Sequence, residues 1–472
     1  MSPLRGTAAA LAGVLLLTVG AAAAEPVAQR SSPAPGLPGA GDGYFPADGN
    51  GGYDVVHYGI RNRMILGQQR IVGATTITAR ATGDLSRFNL DFLLRVKSVK
   101  VNGTPAKFTR PGRHELRVTP KQTIDKGRSF KVRVTYAGRP AGIGWAGEKS
   151  WIGNREEAVA MGEPHIAAYW FPSNDHPSDK AKFDIRIEVR KGLQAIANGR
   201  LVSRRAGKKM STWHWRADEP MATYLAFFAA GRYKIERGRT RDGLPWINAV
   251  SREFGPTRQR RAMRFLRMTP RVLRQLESWL GDYPFSTTGG LVTSLDVAFA
   301  LENQTRPTYP FVGGRGQTSL VAHELAHQWF GDKVAVKNWR DIWVNEGLAS
   351  YMELLTDGWG FRSPAAWLRH AWGASSGSVD WRLRIGDPGP ARLFAPEVYE
   401  RGAMAAQALR NRIGTPDFKR LLRSWVTGRT HGSNADFKAL AEEISAEDLG
   451  SFFNAWLYTG KRPARTAENG YK

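Results

Sequence analysis

The chain has 472 residues, no cysteine and a formal net charge of +26 at pH 7. Its length predicts two or three domains, and the missing cysteines exclude disulfide bonds and thiolate chemistry. Lys and Arg are scattered along the chain, whereas a nucleic-acid-binding protein would concentrate its charge on one element, so we expect no nucleic-acid partner. The basic charge is either plain surface composition or a means of electrostatic association with the anionic cell envelope.

Residues 1–24 have the pattern of a signal peptide: Arg5 in a short basic start, an apolar core over residues 8–20, and the small residues Ala22–Ala24 before a cleavage site. The apolar core is too short for a good membrane span, although an uncleaved anchor stays open as an alternative. We therefore expect an exported protein, periplasmic or extracellular, with no transmembrane segment in the mature chain. Residues 25–52 are rich in Pro, Gly, Ser and Ala and predict a flexible leader.

Residues 53–235 alternate between apolar and polar side chains in short runs that are separated by turn residues, for example at 70–79, 130–136 and 183–189. A period of two with many Thr, Val and Ile residues is typical of half-buried antiparallel strands. The sequence therefore predicts an N-terminal antiparallel all-β domain, built as a sandwich or a saddle-like sheet.

Helical periodicity begins after Glu253. Residues 259–280 predict a helix with a break or kink at Pro270. A β-like run follows at 291–299 and leads into residues 300–304, which read Ala-Leu-Glu-Asn-Gln. The C-terminal half is therefore expected to be α+β and mainly helical.

The strongest chemical signal is the sequence His323-Glu324-Leu-Ala-His327, which lies in the helix-permissive run 318–330. Positions i and i+4 share one helix face, so the two imidazoles can reach one metal ion at about 2.0–2.1 Å. Glu324 lies beside that face, where it can hold the reacting water and take its proton as a general base.

A second helix-permissive segment, 341–356, carries Glu346 as a third ligand; Asp341 is a plausible N-cap and Gly358 a plausible end. The alternative is that the histidines and carboxylates are ordinary surface residues. With the whole pattern present, we predict a site for one Zn²⁺ ion, held by His323, His327 and Glu346, which cobalt or manganese could also occupy in vitro.

The run HELAHQWFGD at 323–332, followed by WVNEG at 343–347, resembles the gluzincin aminopeptidases, the family of aminopeptidase N and leukotriene hydrolase. The resemblance implies that residues 236–462 form a thermolysin-like zinc peptidase domain, which ends in closing helices at 415–426 and 434–458 and is followed by a tail at 463–472. Many relatives continue into a large helical domain that caps the active site. The chain ends at Lys472, so we expect a short member with a more open cleft.

Residues 300–303 resemble the family's Gly-x-Met-Glu-Asn strand, which implies that Ala300, Glu302 and Asn303 bind substrate and that Glu302 pairs with the α-amine. Phe299 and Leu301 depart from the family pattern. The family also takes a polar residue from its N-terminal domain, and an ungapped count of twelve residues back from Asp175 points to Glu163.

Residues 398–403, Val-Tyr-Glu-Arg-Gly-Ala, resemble the family's Tyr-x-Lys-Gly-Ala element, which implies that the Tyr399 hydroxyl stabilises the oxyanion. The resemblance thus implies an exported zinc aminopeptidase that uses metal-activated water and Glu324 to hydrolyse the N-terminal bond of peptides with a free N-terminus. Two alternatives stay open. One is a zinc endopeptidase of the same fold, if Phe299 shifts Glu302 away from the cleft, and the other is a non-catalytic basic protein that binds the envelope.

Overall fold

The structure is a computed structural model that describes residues 32–311, 317–373 and 379–472. The predicted signal peptide, at 1–24, and the first part of the predicted leader, at 25–31, lie outside the described residues. Within the described ranges, every helix is too short or too polar to cross a lipid bilayer.

The N-terminal half is built from short and long strands with little helix. In chain order the strands are β1 (Ala34–Pro35), β2 (Tyr53–Ile65), β3 (Arg70–Ala81), β4 (Leu85–Asp91), β5 (Arg95–Val101), β6 (Thr104–Pro105), β7 (Lys107–Thr109), β8 (Glu115–Thr119), β9 (Ser129–Gly138), β10 (Trp151–Gly153), β11 (Ala158–Ala160), β12 (Ala181–Arg190), β13 (Gln194–Ala197), β14 (Arg200–Ala206), β15 (Met210–Met221) and β16 (Phe228–Gly231).

The largest sheet has eight strands in the order β14-β15-β12-β2-β3-β9-β5-β6, and two four-stranded sheets have the orders β1-β4-β8-β7 and β10-β11-β16-β13. Side chains on the long strands alternate between buried and exposed, as period-two patterning requires. The inward rows carry Tyr58, Ile60, Ile77 and Ile185, all fully buried. The predicted β-rich N-terminal half is confirmed, but its described strands depart from purely antiparallel pairing at two places: β12 and β2 pair in parallel, and so do β1 and β4.

The second half contains a four-stranded mixed sheet, in the order β17-β18-β19-β20, and a set of packed helices. Its strands are β17 (Tyr233–Arg239), β18 (Pro245–Ser251), β19 (Thr288–Val292), β20 (Thr308–Tyr309), β21 (Ala335–Val336) and β22 (His431–Gly432). Its helices are α1 (Pro256–Leu266), α2 (Thr269–Leu280), α3 (Gln317–Ala326), α4 (Trp343–Asp357), α5 (Pro364–Gly373), α6 (Pro396–Ile413), α7 (Thr415–Thr427), α8 (Asn434–Ser445) and α9 (Gly450–Phe453). The prediction of a mainly helical α+β half is confirmed.

Residues 33–52, which we predicted to be flexible, are packed against both halves of the protein. Asp42 accepts a hydrogen bond from the backbone N–H of Trp339 at 2.7 Å, and Asp48 pairs with the His165 Nε2 at 2.5 Å. Burial opposes the negative charge on Asp42, but the hydrogen bonds that it accepts from His176 and from the Trp339 backbone lower its pKa to about 2. The prediction was wrong for this stretch because composition cannot reveal partners more than a hundred residues away in the chain.

Several predicted boundaries also change. Of the break or kink that we predicted at Pro270, the structure has the break, which falls between α1 and α2; Pro270 lies in the first turn of α2, where its missing N–H costs nothing. The β-like run that we predicted at 291–299 continues β19 only as far as Val292. The predicted closing helix 434–458 is interrupted after α8 at Ala446, whose φ is +56°, and it resumes as α9 and a π-helical turn at Asn454–Tyr458.

Asp341, predicted to be an N-cap, lies in a 3₁₀ turn at Trp339–Asp341 that precedes α4. Its carboxylate accepts a hydrogen bond from the Asn434 backbone N–H at 3.0 Å and so ties the start of α8 to the start of α4. Gly358 does end α4, in the left-handed conformation that glycine adopts without strain.

Candidate metal centre

His323 and His327 are placed by the end of α3. The helix ends at Ala326, but the His327 backbone N–H still donates to the His323 carbonyl at 3.2 Å. That bond continues the helical geometry for one more residue, so both imidazoles leave the same face. Both side chains are buried, and Glu346 reaches them from the first turn of α4.

The three predicted ligands meet at one point. The two histidine Nε2 atoms lie 3.0 Å apart, and the Glu346 Oε2 lies 3.3 Å from His323 and 3.4 Å from His327. A tetrahedral zinc site with bonds of about 2.0–2.1 Å has ligand-to-ligand distances of about 3.3–3.4 Å. The three residues therefore fit one zinc ion with a fourth position open.

The other ring nitrogen of each histidine is held by an acceptor. His323 Nδ1 donates to the Glu353 Oε1 at 2.7 Å, and His327 Nδ1 donates to the Phe330 carbonyl at 3.0 Å. Because the protons sit on Nδ1, both Nε2 lone pairs point to the shared metal position. Our sequence reasoning missed Glu353, although it lies seven residues, or two helical turns, after Glu346 on α4.

The charges around the triad favour a cation between the three ligands. Burial acts against ionisation of Glu346, but His327 and His323 outweigh it and lower the pKa of this carboxyl to about 2. Burial likewise disfavours a charged His327, yet Glu346 and Glu302 raise its pKa to about 9. A divalent metal ion supplies the positive charge that this arrangement favours.

The triad forms one wall of a cavity of about 420 Å³. The cavity is lined by the three ligands together with Glu163, Phe299, Ala300, Leu301, Glu302, Leu320, Glu324, Glu353, Phe394 and Tyr399. Four of the predicted non-ligand residues, Glu163, Ala300, Glu302 and Glu324, are thus brought to one place with Tyr399. Phe299, which departs from the family pattern, is 46% exposed at this cavity.

Glu324 is buried in the cavity wall. Burial raises its pKa to about 8, although the neighbouring His323 and His327 act to lower it. A carboxyl group that titrates near neutral pH can both take up and give back a proton during a reaction.

Glu163 and Glu302 bring two more carboxyl groups to the same cavity. The Oε1 atom of each is buried and makes no hydrogen bond within the described residues. Burial raises the pKa of Glu163 well above its usual range, and the charge of Glu302 raises it further. Two buried carboxyl groups, each with an oxygen that has no hydrogen-bond partner among the described residues, create a position suited to a positively charged group.

Tyr399 and Asn303 differ in their surroundings. The Tyr399 ring stacks on the His323 ring, with centroids 5.8 Å apart and an interplanar angle of 26°.

Asn303, predicted to bind substrate, is not among the cavity-lining residues that the structure describes, and its side-chain amide donates to the Leu225 carbonyl at 3.2 Å. The predicted edge strand at 300–303 is only a single bridge between Leu301 and Thr308.

Two glycines set the distance between the helices that carry Glu346 and Tyr399. A Cβ atom at Gly402 of α6 would lie 2.6 Å from the Gly347 Cα of α4, and a Cβ at Gly347 would lie 2.9 Å from the Gly402 Cα. These distances are shorter than any van der Waals contact, so the helices can cross this closely only because both positions lack a side chain.

Comparison with known families matches two regions of the chain. Residues 289–456 match the Peptidase family M1 domain, and residues 55–225 match the Peptidase M1 N-terminal domain. Among curated proteins, the chain is 27% identical over 327 residues to Aminopeptidase M1-D of Oryza sativa subsp. japonica. The aligned region covers 63% of this chain and 36% of that protein. It is 26% identical over 365 residues to Aminopeptidase N of Lactococcus lactis subsp. lactis, which covers 70% of this chain and 41% of that protein. The chain therefore spans about two fifths of the length of these relatives.

Solved structures match over almost the whole chain. The M1 zinc metallopeptidase of Deinococcus radiodurans has a TM-score of 0.79 and 26% identity, over 90% of this chain and 99% of that one. A mutant of the M1 zinc metallopeptidase from the same organism, bound to a Tyr-Ser-Ala substrate, matches with a TM-score of 0.79 and 26% identity, over 91% of this chain and 100% of that one.

Proposed function

We propose that the chain, which belongs to peptidase family M1, is a zinc aminopeptidase that removes N-terminal residues from peptides with a free α-amine, and that it is exported, as the pattern of residues 1–24 indicates. The observation that carries the proposal is the pair of buried carboxyl groups, Glu163 and Glu302, beside the triad of His323, His327 and Glu346.

Selection for a free N-terminus follows from these two carboxyl groups. An α-ammonium group can form charge-assisted hydrogen bonds with Glu163 and Glu302, whereas an N-acyl group carries no charge to offer them. An N-blocked peptide would leave both carboxyl groups buried without a partner, and this penalty rejects it. The same contacts position the first peptide bond of a bound substrate beside the metal ligands.

Glu324 and Tyr399 are the residues that we expect to act on the reacting atoms. A zinc ion bound by the triad supplies Lewis acidity to the water and carbonyl that react beside it. Glu324 takes the proton from the attacking water and returns it to the leaving amine. Burial raises the pKa of Tyr399 well above its usual range, and Glu346 raises it further. The hydroxyl therefore keeps its proton at neutral pH and can donate to the developing oxyanion.

The first test is hydrolysis of matched aminoacyl substrates with free and with acetylated N-termini. We expect turnover of the free substrates only, lost after treatment with a chelator and restored by Zn²⁺. The Glu324→Gln variant should bind the same amount of zinc and lose about 10²–10⁴-fold in kcat.

The outcomes separate the aminopeptidase from its alternatives. Turnover of the acetylated substrates as well would favour a zinc endopeptidase. Zinc binding without any turnover of either substrate would favour a protein that uses its basic surface to bind the envelope. A Glu302→Gln variant provides a finer control, because it should raise KM for free substrates more than it lowers kcat.

Export is the part of the proposal that rests on residues 1–24. Expression of the whole chain in a bacterial host should give a mature protein outside the cytoplasm whose N-terminus follows Ala24, as measured by mass spectrometry. Retention of Met1–Ala24 on a cytoplasmic product would contradict export and leave the proposed reaction unaffected.

A further inference from the structure

A polar cluster outside the catalytic cavity lies where β4 ends and β8 begins. Asp91, the last residue of β4, faces Glu115, the first residue of β8, in the antiparallel ladder. Facing residues in such a ladder hold their Cβ atoms about 4.5–5.5 Å apart. His114 lies just before β8, so the alternation of side chains along that strand does not fix the direction of the His114 side chain.

The three side chains bring metal-binding atoms close together. One ligand atom from each of Asp91, His114 and Glu115 lies within 4.8 Å of the other two. The Asp91 Oδ1 and the His114 Nδ1 are 3.5 Å apart, which is too far for a good hydrogen bond but suits two ligands of one ion.

The carboxyl oxygens that face the cluster are buried and accept no hydrogen bond within the described residues. Asp91 is 0% exposed and His114 is 2% exposed. The Asp91 Oδ1 and both carboxyl oxygens of Glu115 make no hydrogen bond, whereas a ring nitrogen of His114 reaches the Ala47 backbone. Buried polar atoms are normally paired, so three unpaired carboxyl oxygens beside one imidazole indicate a missing partner.

The groups around Asp91 and His114 hold them in place and leave the ligand atoms free. The second Asp91 oxygen, Oδ2, accepts from the Asn50 side chain at 3.1 Å and from the Asp175 backbone N–H at 2.6 Å. The His114 ring lies flat on Trp145, with centroids 4.1 Å apart and an interplanar angle of 6°. Both contacts orient a side chain without using the atoms that face the cluster.

The arginines near the cluster do not hydrogen-bond to its carboxyl groups. Arg110 donates instead to the backbone carbonyls of Phe92 and Leu94, at 2.5 Å and 2.9 Å. Both Glu115 oxygens lack a hydrogen-bond donor among the described residues. Two carboxyl groups and an imidazole are therefore left to share one buried position.

We propose that Asp91, His114 and Glu115 bind a divalent cation of the zinc or manganese type, at a structural site separate from the catalytic metal. Two carboxylates balance a 2+ charge, and the imidazole nitrogen favours a transition-metal ion over Ca²⁺, which takes oxygen ligands. The ion would hold the ends of β4 and β8 together. Because Asp91 also accepts a hydrogen bond from the Asp175 backbone, the ion would link these strands to the segment around Asp175.

The test counts metal in a chain that lacks the catalytic site. A His323→Ala/His327→Ala variant, stripped with a chelator and then dialysed against Zn²⁺ or Mn²⁺ alone, should retain one ion per chain by inductively coupled plasma mass spectrometry. The chain with its catalytic ligands intact should retain two. Adding His114→Gln and Glu115→Gln to the variant should reduce its count to none.

His57→Gln is the matched control. His57 also faces a carboxylate, Asp184, at 3.1 Å, but it lies partly exposed on the large sheet and already has its partner. The control should leave the count at one.

A count of zero in the variant without catalytic ligands, or only one ion in the intact chain, would overturn the proposal. So would a count that falls with His57→Gln and survives His114→Gln, since that pattern means adventitious surface binding. If the multiple variant does not fold, the comparison of the intact chain with its single His114→Gln variant still decides between two ions and one. Peptide hydrolysis is measured separately, so a failure of this site leaves the proposed aminopeptidase function standing.

Discussion

Each imidazole of the triad uses both of its nitrogens. One nitrogen faces the shared metal position, and the other donates to a fixed acceptor, Glu353 for His323 and the Phe330 carbonyl for His327. Such partners set the tautomer and the orientation of the ring, and their removal typically costs about 10–100-fold in metal affinity. The Phe330 carbonyl belongs to the backbone, so Glu353 is the partner that a mutation can remove.

Glu353→Ala should therefore weaken zinc binding by about 10–100-fold. The loss should be visible as faster transfer of zinc to a competing chelator at neutral pH. Glu353→Gln keeps a side-chain oxygen for the His323 N–H and should retain more affinity than the alanine variant. Equal zinc affinity in wild type and Glu353→Ala would show that this hydrogen bond does not position His323.

At the scale of elements, the crossing of α4 and α6 decides where Glu346 and Tyr399 stand relative to each other. Gly347 follows Glu346 directly, and Gly402 lies three residues after Tyr399, so each glycine shares a helical turn with a site residue. The close approach of these glycines brings a metal ligand and the expected oxyanion donor to one cavity.

Gly402→Ala should force the two helices apart and destabilise the protein by about 1–3 kcal/mol, the usual cost of overpacking. Because the displacement acts on Tyr399, kcat should fall more than zinc content does. Thermal unfolding, steady-state kinetics and metal analysis measure the three quantities. Gly373→Ala is the control, since among the described residues a Cβ there meets nothing closer than 3.5 Å and should change none of them.

The segment 33–52 is a second element whose role depends on specific pairs. His165 Nε2 lies 2.5 Å from Asp48 and the other ring nitrogen lies 3.4 Å from Glu148. Burial disfavours a charged His165, but these carboxylates prevail and raise its pKa from 6.5 to about 10. A charged histidine thus holds the segment to the N-terminal half.

Because this pKa is higher in the folded than in the unfolded chain, the stabilisation is complete below about pH 6.5 and is lost as the pH rises through about 10. Asp48→Asn should remove much of it. Urea unfolding between pH 6 and pH 10.5 should give a free-energy difference between wild type and variant of a few kcal/mol at the acidic end that shrinks towards pH 10. A difference that does not change with pH would contradict the ion pair, and the exposed Asp54→Asn is the control.

At the scale of the whole molecule, part of the basic charge behind the net +26 lies on one face of the large sheet. Its register places the following basic residues on the outward face, beside the acidic Asp184 and Glu188: Arg61, Lys100, Lys131, Arg133, Arg186 and Arg216. An extended face of this kind suits a polyanion, and such binding weakens with salt because the surface charges are screened.

Replacement of Arg61, Lys100 and Arg133 by Glu should reduce binding to immobilised dextran sulfate several-fold at 0.1 M salt, and the difference should vanish at 0.5 M. Peptide hydrolysis should be unchanged, since the catalytic cavity is elsewhere. A control with Arg258, Arg260 and Arg264 of α1 changed to Glu carries the same net charge. Equal losses in both variants would mean that the basic charge is general surface composition rather than a binding face.

Much of the molecule could be predicted from local patterns. Alternation along strands and the three- and four-residue steps of helices depend on contacts that recur every few residues, so the β-rich half and the helical half were correctly predicted. The spacing of His323 and His327 could be interpreted because helix geometry is nearly invariant, whereas Glu346, on a second helix, was assigned with the help of the family resemblance. The 33–52 segment was misjudged because Asp42 and Asp48 find their partners in His176 and His165, far along the chain.

By itself, the amino-acid sequence determined the two-part architecture, the family and the side chains that can hold one zinc ion, because each depends on regular local geometry or on a dense motif. Only the tertiary structure decided which acceptors orient the imidazoles, that Gly347 and Gly402 meet, that Asn303 contacts Leu225 instead of lining the cavity, and that Asp91, His114 and Glu115 converge. These features depend on the distances between residues that are remote in the chain. Such distances follow from how whole sheets and helices pack, which no local pattern records.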